Sequence, residues 1–192
     1  MPNHYTTIAI CSPGDDFDSN DFNNRHGETN LCEIVSPIPK ELAGIIAGYP
    51  PARFRNKNTG EYWTVDCNGP MSDREMWDRV PLSPEEIQEV VTATGAASWY
   101  DWCISNWGTK WGTYRTKAFR LGGDAHPVLV TFESAWNPPS ILDKIARWLK
   151  EECGFEAVTF VGFDPADDSV KELKDLQTPT IDANGIASDV PM

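Results

Sequence analysis

The sequence predicts an α+β domain whose elements alternate in the order βαββαβ. Three observations carry that expectation: an alternating β-branched run near the N-terminus, two helices with cap signals, and two alternating runs joined by a glycine-rich turn. Together they specify an antiparallel sheet with two helices on one face, the ferredoxin-like arrangement. At 192 residues the chain is long enough for one domain with a full hydrophobic core. Its 40% hydrophobic and 11% aromatic content, with eight Trp, belongs to a folded globular protein.

The first strand is "YTTIAIC" (5–11), β-branched and alternating. Residues 12–82 have another texture, rich in Pro, Asn, Asp and Gly and broken by "LCEIVSPIP", "ELAGIIAGY" and "EYWTVD". That stretch is too long for a loop, so an insertion is expected, its middle piece a short helix and its last a short strand. In "SPEEIQEVVTATG" Ser83 caps a helix, Pro84 takes the first helical position, and Glu86 completes a capping box. Ile87, Val90, Val91 and Thr94 line one face, and Gly95 breaks the helix before a second piece over 97–105. "TYRTKAFRL" and "PVLVTFES" flank "GGDAH" as a hairpin. "PPSILDKIARWLKEECG" is a helix capped by Ser140 and ended by Gly154, with Leu142, Ile145, Trp148 and Leu149 on its apolar face. "FEAVTFVGF" is the last strand. A single domain over 1–165 is therefore expected, with 166–192 an acidic, frayed extension.

The formal net charge is −13, from 29 acidic and 16 basic residues. Such a surface repels nucleic acid and anionic membrane over most of its area and suits a basic partner. Five scattered Cys without a CxxC pair read as small apolar residues of a reducing compartment. The absence of a basic, apolar leader and of any apolar run near the roughly 20 residues of a membrane span points to a cytoplasmic protein.

Five blocks occur in order: "MPNH", "SPIPKEL", "YDWCISNWGTKWG", "FESAWNPP" and "FVGF". On these the chain resembles the YubB-like ferredoxin-like domain family of bacteriophages and conjugative plasmids. Residues 12–30, much of 43–82 and the tail have no counterpart in the resemblance, and "GFEAVT" stands where the family carries a glutamate-glycine motif. The resemblance implies a ferredoxin-like fold and a mobile-element origin, without an activity. "Ferredoxin-like" names a topology here, since no clustered Cys could hold an iron–sulfur centre.

Trp102, Trp107, Trp111 and Trp136 fall where helix, hairpin and second helix join, and are expected to form a buried cluster pinning that corner. Gly108 and Gly112 give the backbone room between the rings, and Lys110 projects outward, its stem over an indole face. Residues 99–123 form a locally basic segment, with Lys110, Arg115, Lys117 and Arg120 against Asp101. Cations beside rings are how proteins hold single strands, so Lys110, Arg115 and Lys117 define a second reading as a nucleic-acid contact. Alternation works against it, because Arg115 and Lys117 share a face with Phe119 while Tyr114, Thr116 and Arg120 share the other. At −13 overall, direct nucleic-acid binding is not expected. His4, His26 and His126 are far apart, no zinc spacing occurs, and no G-x-S-x-G or phosphate loop is present, so neither metal, cofactor nor catalytic residue is expected. An enzyme would need a pocket joining the insertion to the Trp block.

Residues 1–30 hold five acidic residues against one basic, and seven against two follow from Asp164 on. With the first and last strands adjacent, Asp15, Asp16, Asp18, Asp164, Asp167 and Asp168 are expected to form one negative face that imitates a phosphate backbone. Charge, absent catalytic motifs and the resemblance converge on a non-enzymatic accessory protein that binds a host protein. A CRISPR or restriction nuclease is the expected target, its nucleic-acid channel occupied by the acidic face.

Overall fold

The structure, a computed structural model, describes residues 4–13, 17–64, 74–122, 126–164 and 169–172. In chain order its elements are β1 (His4–Pro13), α1 (Ser19–His26), α2 (Leu31–Val35), β2 (Ala52–Asn56), β3 (Trp77–Pro81), α3 (Pro84–Thr94), α4 (Trp99–Trp107), β4 (Tyr114–Arg120), β5 (Val128–Ala135), α5 (Leu142–Cys153), β6 (Phe155–Asp164) and β7 (Ser169–Glu172). The fold is α+β. Among the described residues the chain divides into two compact units, one holding 4–37 and 106–172, the other 38–105.

In the first unit five strands form one sheet in the order β4-β5-β1-β6-β7, antiparallel throughout. β1 is central, pairing from His4↔Ala135 to Cys11↔Val128 on one side and from Thr6↔Phe163 to Pro13↔Phe155 on the other. Its alternation divides the sheet: Tyr5, Thr7, Ala9 and Cys11 are buried, while Ile8 and Ile10 turn to the other face. On the buried side stand Leu142, Ile145 and Leu149 of α5, Phe22 of α1, and Leu31 and Cys32 of α2. Each of these Leu, Ile and Phe side chains contributes about 1.5–3 kcal/mol.

The helix beside β4 is α1, a segment with one buried residue and a negative mean hydropathy. Asp18 caps it, accepting from the Asn20 amide at 2.8 Å. Asn23 then takes the role of a neighbouring strand: its Oδ1 accepts from the Ala118 amide at 2.7 Å and its Nδ2 donates to the Ala118 carbonyl at 3.0 Å. These polar bonds to an edge strand add to the packing of Phe22 on Phe17 and of His26 on Trp148, and a search for apolar periodicity does not detect them.

Residues 17–37 thus group with the sheet unit rather than with 38–105. The second unit begins at 38 and takes in α3 and α4 as far as 105. Its entry and exit are side by side, because Trp107 Nε1 donates to the Ser36 carbonyl at 2.9 Å within the first unit.

The second unit pairs β2 with β3 antiparallel, from Ala52↔Pro81 to Asn56↔Trp77. "EYWTVD" contributes an isolated bridge at Tyr62, and "ELAGIIAGY" the end of a 3-10 turn over Lys40–Leu42 and an isolated bridge at Ile46. The Ser83–Glu86 capping box and the left-handed Gly95 stand as the sequence predicts. Ser140 does not cap α5: the N-cap is Ile141, and the Ser140 amide is held by the Trp107 carbonyl at 2.7 Å. Asp164 ends β6, and the unexpected β7 extends the sheet beyond it.

Candidate partner-binding surface

The helices of the sheet unit stand on one face, and the opposite face is apolar as well. Register places its residues in rows. Phe119, Leu129, Ile10 and Thr159 form the first, Lys117, Thr131, Ile8 and Val161 the second, and Glu133, Thr6 and Phe163 the third. Ile10 is 38% and Phe119 48% exposed. An antiparallel sheet with one covered face ordinarily turns a polar face to solvent. Here apolar side chains occupy both, and exposed apolar patches of this kind mark interaction sites.

At the end of this face where β4 starts and β5 ends lies an aromatic cluster. Trp111 and Trp136 are 37% and 39% exposed, whereas Trp102 and Trp107 are buried. The expected buried cluster of four is thereby corrected: Trp107 anchors the corner, Trp102 belongs to the second unit, and the other two rings reach the surface. Lys110 Nζ lies 4.6 Å from the Trp111 centroid and 4.8 Å from that of Trp136, a double cation–π contact.

Buried Thr109 holds this arrangement, its hydroxyl 2.7 Å from the Ala135 carbonyl and 3.2 Å from that of Trp111. Gly108 (φ 72°) makes the tight turn, and a Cβ there would strike Ser140. Trp136 itself has φ 73°. A bulky residue in left-handed backbone costs roughly 1–3 kcal/mol, a strain associated with functional positions.

The bulge between Tyr114 and Lys117, with Arg115 at φ 53°, turns Tyr114 onto the open face beside Glu133. Tyr114 hydrogen-bonds to His4 Nδ1. Glu133 accepts from Arg115 at 3.0 Å and lies 3.9 Å from His4. Burial, then the Glu133 charge, raise the Tyr114 pKa. Lys117 is exposed, while Arg120 donates to the Phe17 carbonyl at 2.8 Å toward α1.

Most of the expected acidic face lies outside the described residues. β1 and β6 are neighbours but antiparallel, so Pro13 and Asp164 stand at opposite ends of a ladder about 25 Å long. Asp18 is engaged in capping α1. Asp164 is described by its backbone alone, and Asp15, Asp16, Asp167 and Asp168 lie outside the described residues. Among the described residues no group of three His, Cys, Asp or Glu could hold a metal ion, and no helix is long and apolar enough to cross a membrane.

The second unit contains a cavity of about 460 Å³ lined by Tyr49, Pro50, Pro51, Ile87 and Val91 among others. No family model, curated protein or solved structure matches this chain.

Proposed function

We propose that this chain is a non-enzymatic protein-binding module that engages its partner through the uncovered sheet face and the Trp111–Lys110–Trp136 end. The observation that carries the reading is the apolar face that no described helix of the sheet unit covers, with Phe119 and Ile10 exposed and Leu129, Ile8, Val161 and Phe163 half-buried, all in register. Trp, Tyr and Arg, the residue types of interface hot spots, cluster at its end. The order β4-β5-β1-β6 with α1 after the first strand and α5 before β6 supports a ferredoxin-like βαββαβ core, with β7 an added edge and 38–105 the insertion. The resemblance to a phage and plasmid family makes a host defence nuclease the partner of choice.

The nucleic-acid reading of Lys110, Arg115 and Lys117 has less support. Lys110 covers the indoles that a base would stack on, and Arg115 is paired with Glu133.

The test is affinity purification from a defence-positive host, comparing the wild type with Phe119→Asp and with Trp111→Ala/Trp136→Ala. A nuclease retained by the wild type and lost with both folded variants supports the reading. Retention by both variants refutes it, as does unchanged phage or plasmid survival with the gene. A concentration-dependent dimer broken by Phe119→Asp would assign the face to a second copy instead.

A further inference from the structure

In the second unit "ARFRNK" places Arg53, Arg55 and Lys57 at every second position. Successive residues of β2 alternate faces, so Arg53 and Arg55 point to the same side. Arg55 pairs across the ladder with Asp78, and Lys57 Nζ reaches that same carboxylate at 3.6 Å. The three cations therefore share one face. Tyr62, bridged to Arg55 on the other edge of β2, joins their row with its ring 48% exposed.

The opposite side of the ribbon carries Phe54 and Arg79 as a cross-strand pair, and Trp77 packs edge-on against Trp63 at 5.5 Å. That aromatic packing anchors the ribbon and leaves the cationic side to solvent. Its ion pairs are weak: Arg53–Glu86 at 3.4 Å and Lys57–Asp78 at 3.6 Å are exposed pairs, worth about 0–1 kcal/mol, although Lys57 Nζ also donates to the Glu75 carbonyl at 2.6 Å. Arg55 Nε donates to the Gly60 carbonyl at 3.4 Å. Phosphate oxygens can replace the two carboxylates, and the remaining protons of the Lys57 ammonium stay available while it holds the Glu75 carbonyl.

Cations on alternate residues of an antiparallel strand recur about every 7 Å, close to the phosphate repeat of an extended single strand. An acidic peptide would answer the charge but make no use of the ring beside Arg55. Stackable bases answer both.

We propose that the β2 face bearing Arg53, Arg55, Lys57 and Tyr62 binds single-stranded nucleic acid, the cations on consecutive phosphates and Tyr62 under a base. The site is independent of the sheet face and stands whether or not that face binds a protein.

The experiment is fluorescence anisotropy of a labelled oligothymidylate with the full chain over a salt series. Three phosphate contacts give a log–log slope of about −2, and Arg55→Ala reduces it by about 0.7. The triple variant Arg53→Ala/Arg55→Ala/Lys57→Ala loses binding with its circular dichroism unchanged. Tyr62→Ala weakens binding about tenfold with the slope kept, and Lys110→Ala changes neither. No anisotropy change at the lowest salt overturns the proposal. Binding that survives the triple variant, equal affinity for a duplex, or binding of polyglutamate but not the oligonucleotide does the same.

Discussion

Asn30 shows how much one side chain can connect. Its Oδ1 accepts from the amides of Cys32 at 3.1 Å and Glu33 at 3.4 Å, capping α2, and from the Thr113 amide at 2.9 Å across the unit. Gly112 leaves the space for it, since a Cβ there would overlap the Asn30 carboxamide. Asn30→Ala removes a cap and strands the Thr113 amide, so a loss of about 2–3 kcal/mol is expected in urea unfolding. Asn30→Asp, which keeps the acceptor, should lose less. The buried thiols give a second expectation. Burial, with a smaller contribution from nearby Cys153 at Cys11, pushes Cys11 and Cys32 up to about 12 from an ordinary 9.0. Because the folded state holds these protons more tightly, their contribution is complete below about pH 9 and is lost as pH rises toward 12. The urea midpoint should therefore fall steadily from about pH 9 upward, and a Cys11→Ala/Cys32→Ala variant should fall less steeply. An identical decline in both would contradict the assignment.

At the scale of elements, Asn23 protects the β4 edge by binding both backbone groups of Ala118. Edge strands left open pair with other chains. Asn23→Ala should lower stability by about 1–2 kcal/mol and produce concentration-dependent association, read by light scattering; a variant that stays monomeric would show that α1 blocks the edge by other means. This is also where the sequence was least legible. β1, the β4–β5 hairpin, α5 and β6 could be read because alternation or helical spacing matched their burial. α1 could not, since Phe22 is its single buried residue and the rest of its docking comes from Asn23 and the His26 ring, which no apolar periodicity marks. The open face was legible as alternation but not as a surface, because Ile8 and Ile10 look like core residues until the helices are seen to stand on the other side. Arg53, Arg55 and Lys57 could have been found by local charge, without any structural help. The opposed placement of Pro13 and Asp164 required the β1–β6 pairing direction, which composition does not encode.

At the scale of the molecule, the chain is a sheet unit interrupted by a second unit whose two junctions meet at the Trp107–Ser36 hydrogen bond. Replacing 38–105 by a short Gly/Ser linker should leave the sheet unit folded, read by a cooperative thermal transition. A molten replacement protein would show that the units depend on each other. The adjoining junctions also bear on how the chain folds. Pairing His4 with Ala135 means closing a loop that contains the whole second unit. Loop closure becomes costlier with length, and long-range strand pairing slows folding. If the second unit collapses first, its ends already lie together and the effective loop shrinks to the residues outside it. The interruption then works as a pre-closed loop, and loosening the second unit with Ser83→Ala should slow formation of the sheet in stopped-flow refolding, although Ser83 lies outside the sheet unit.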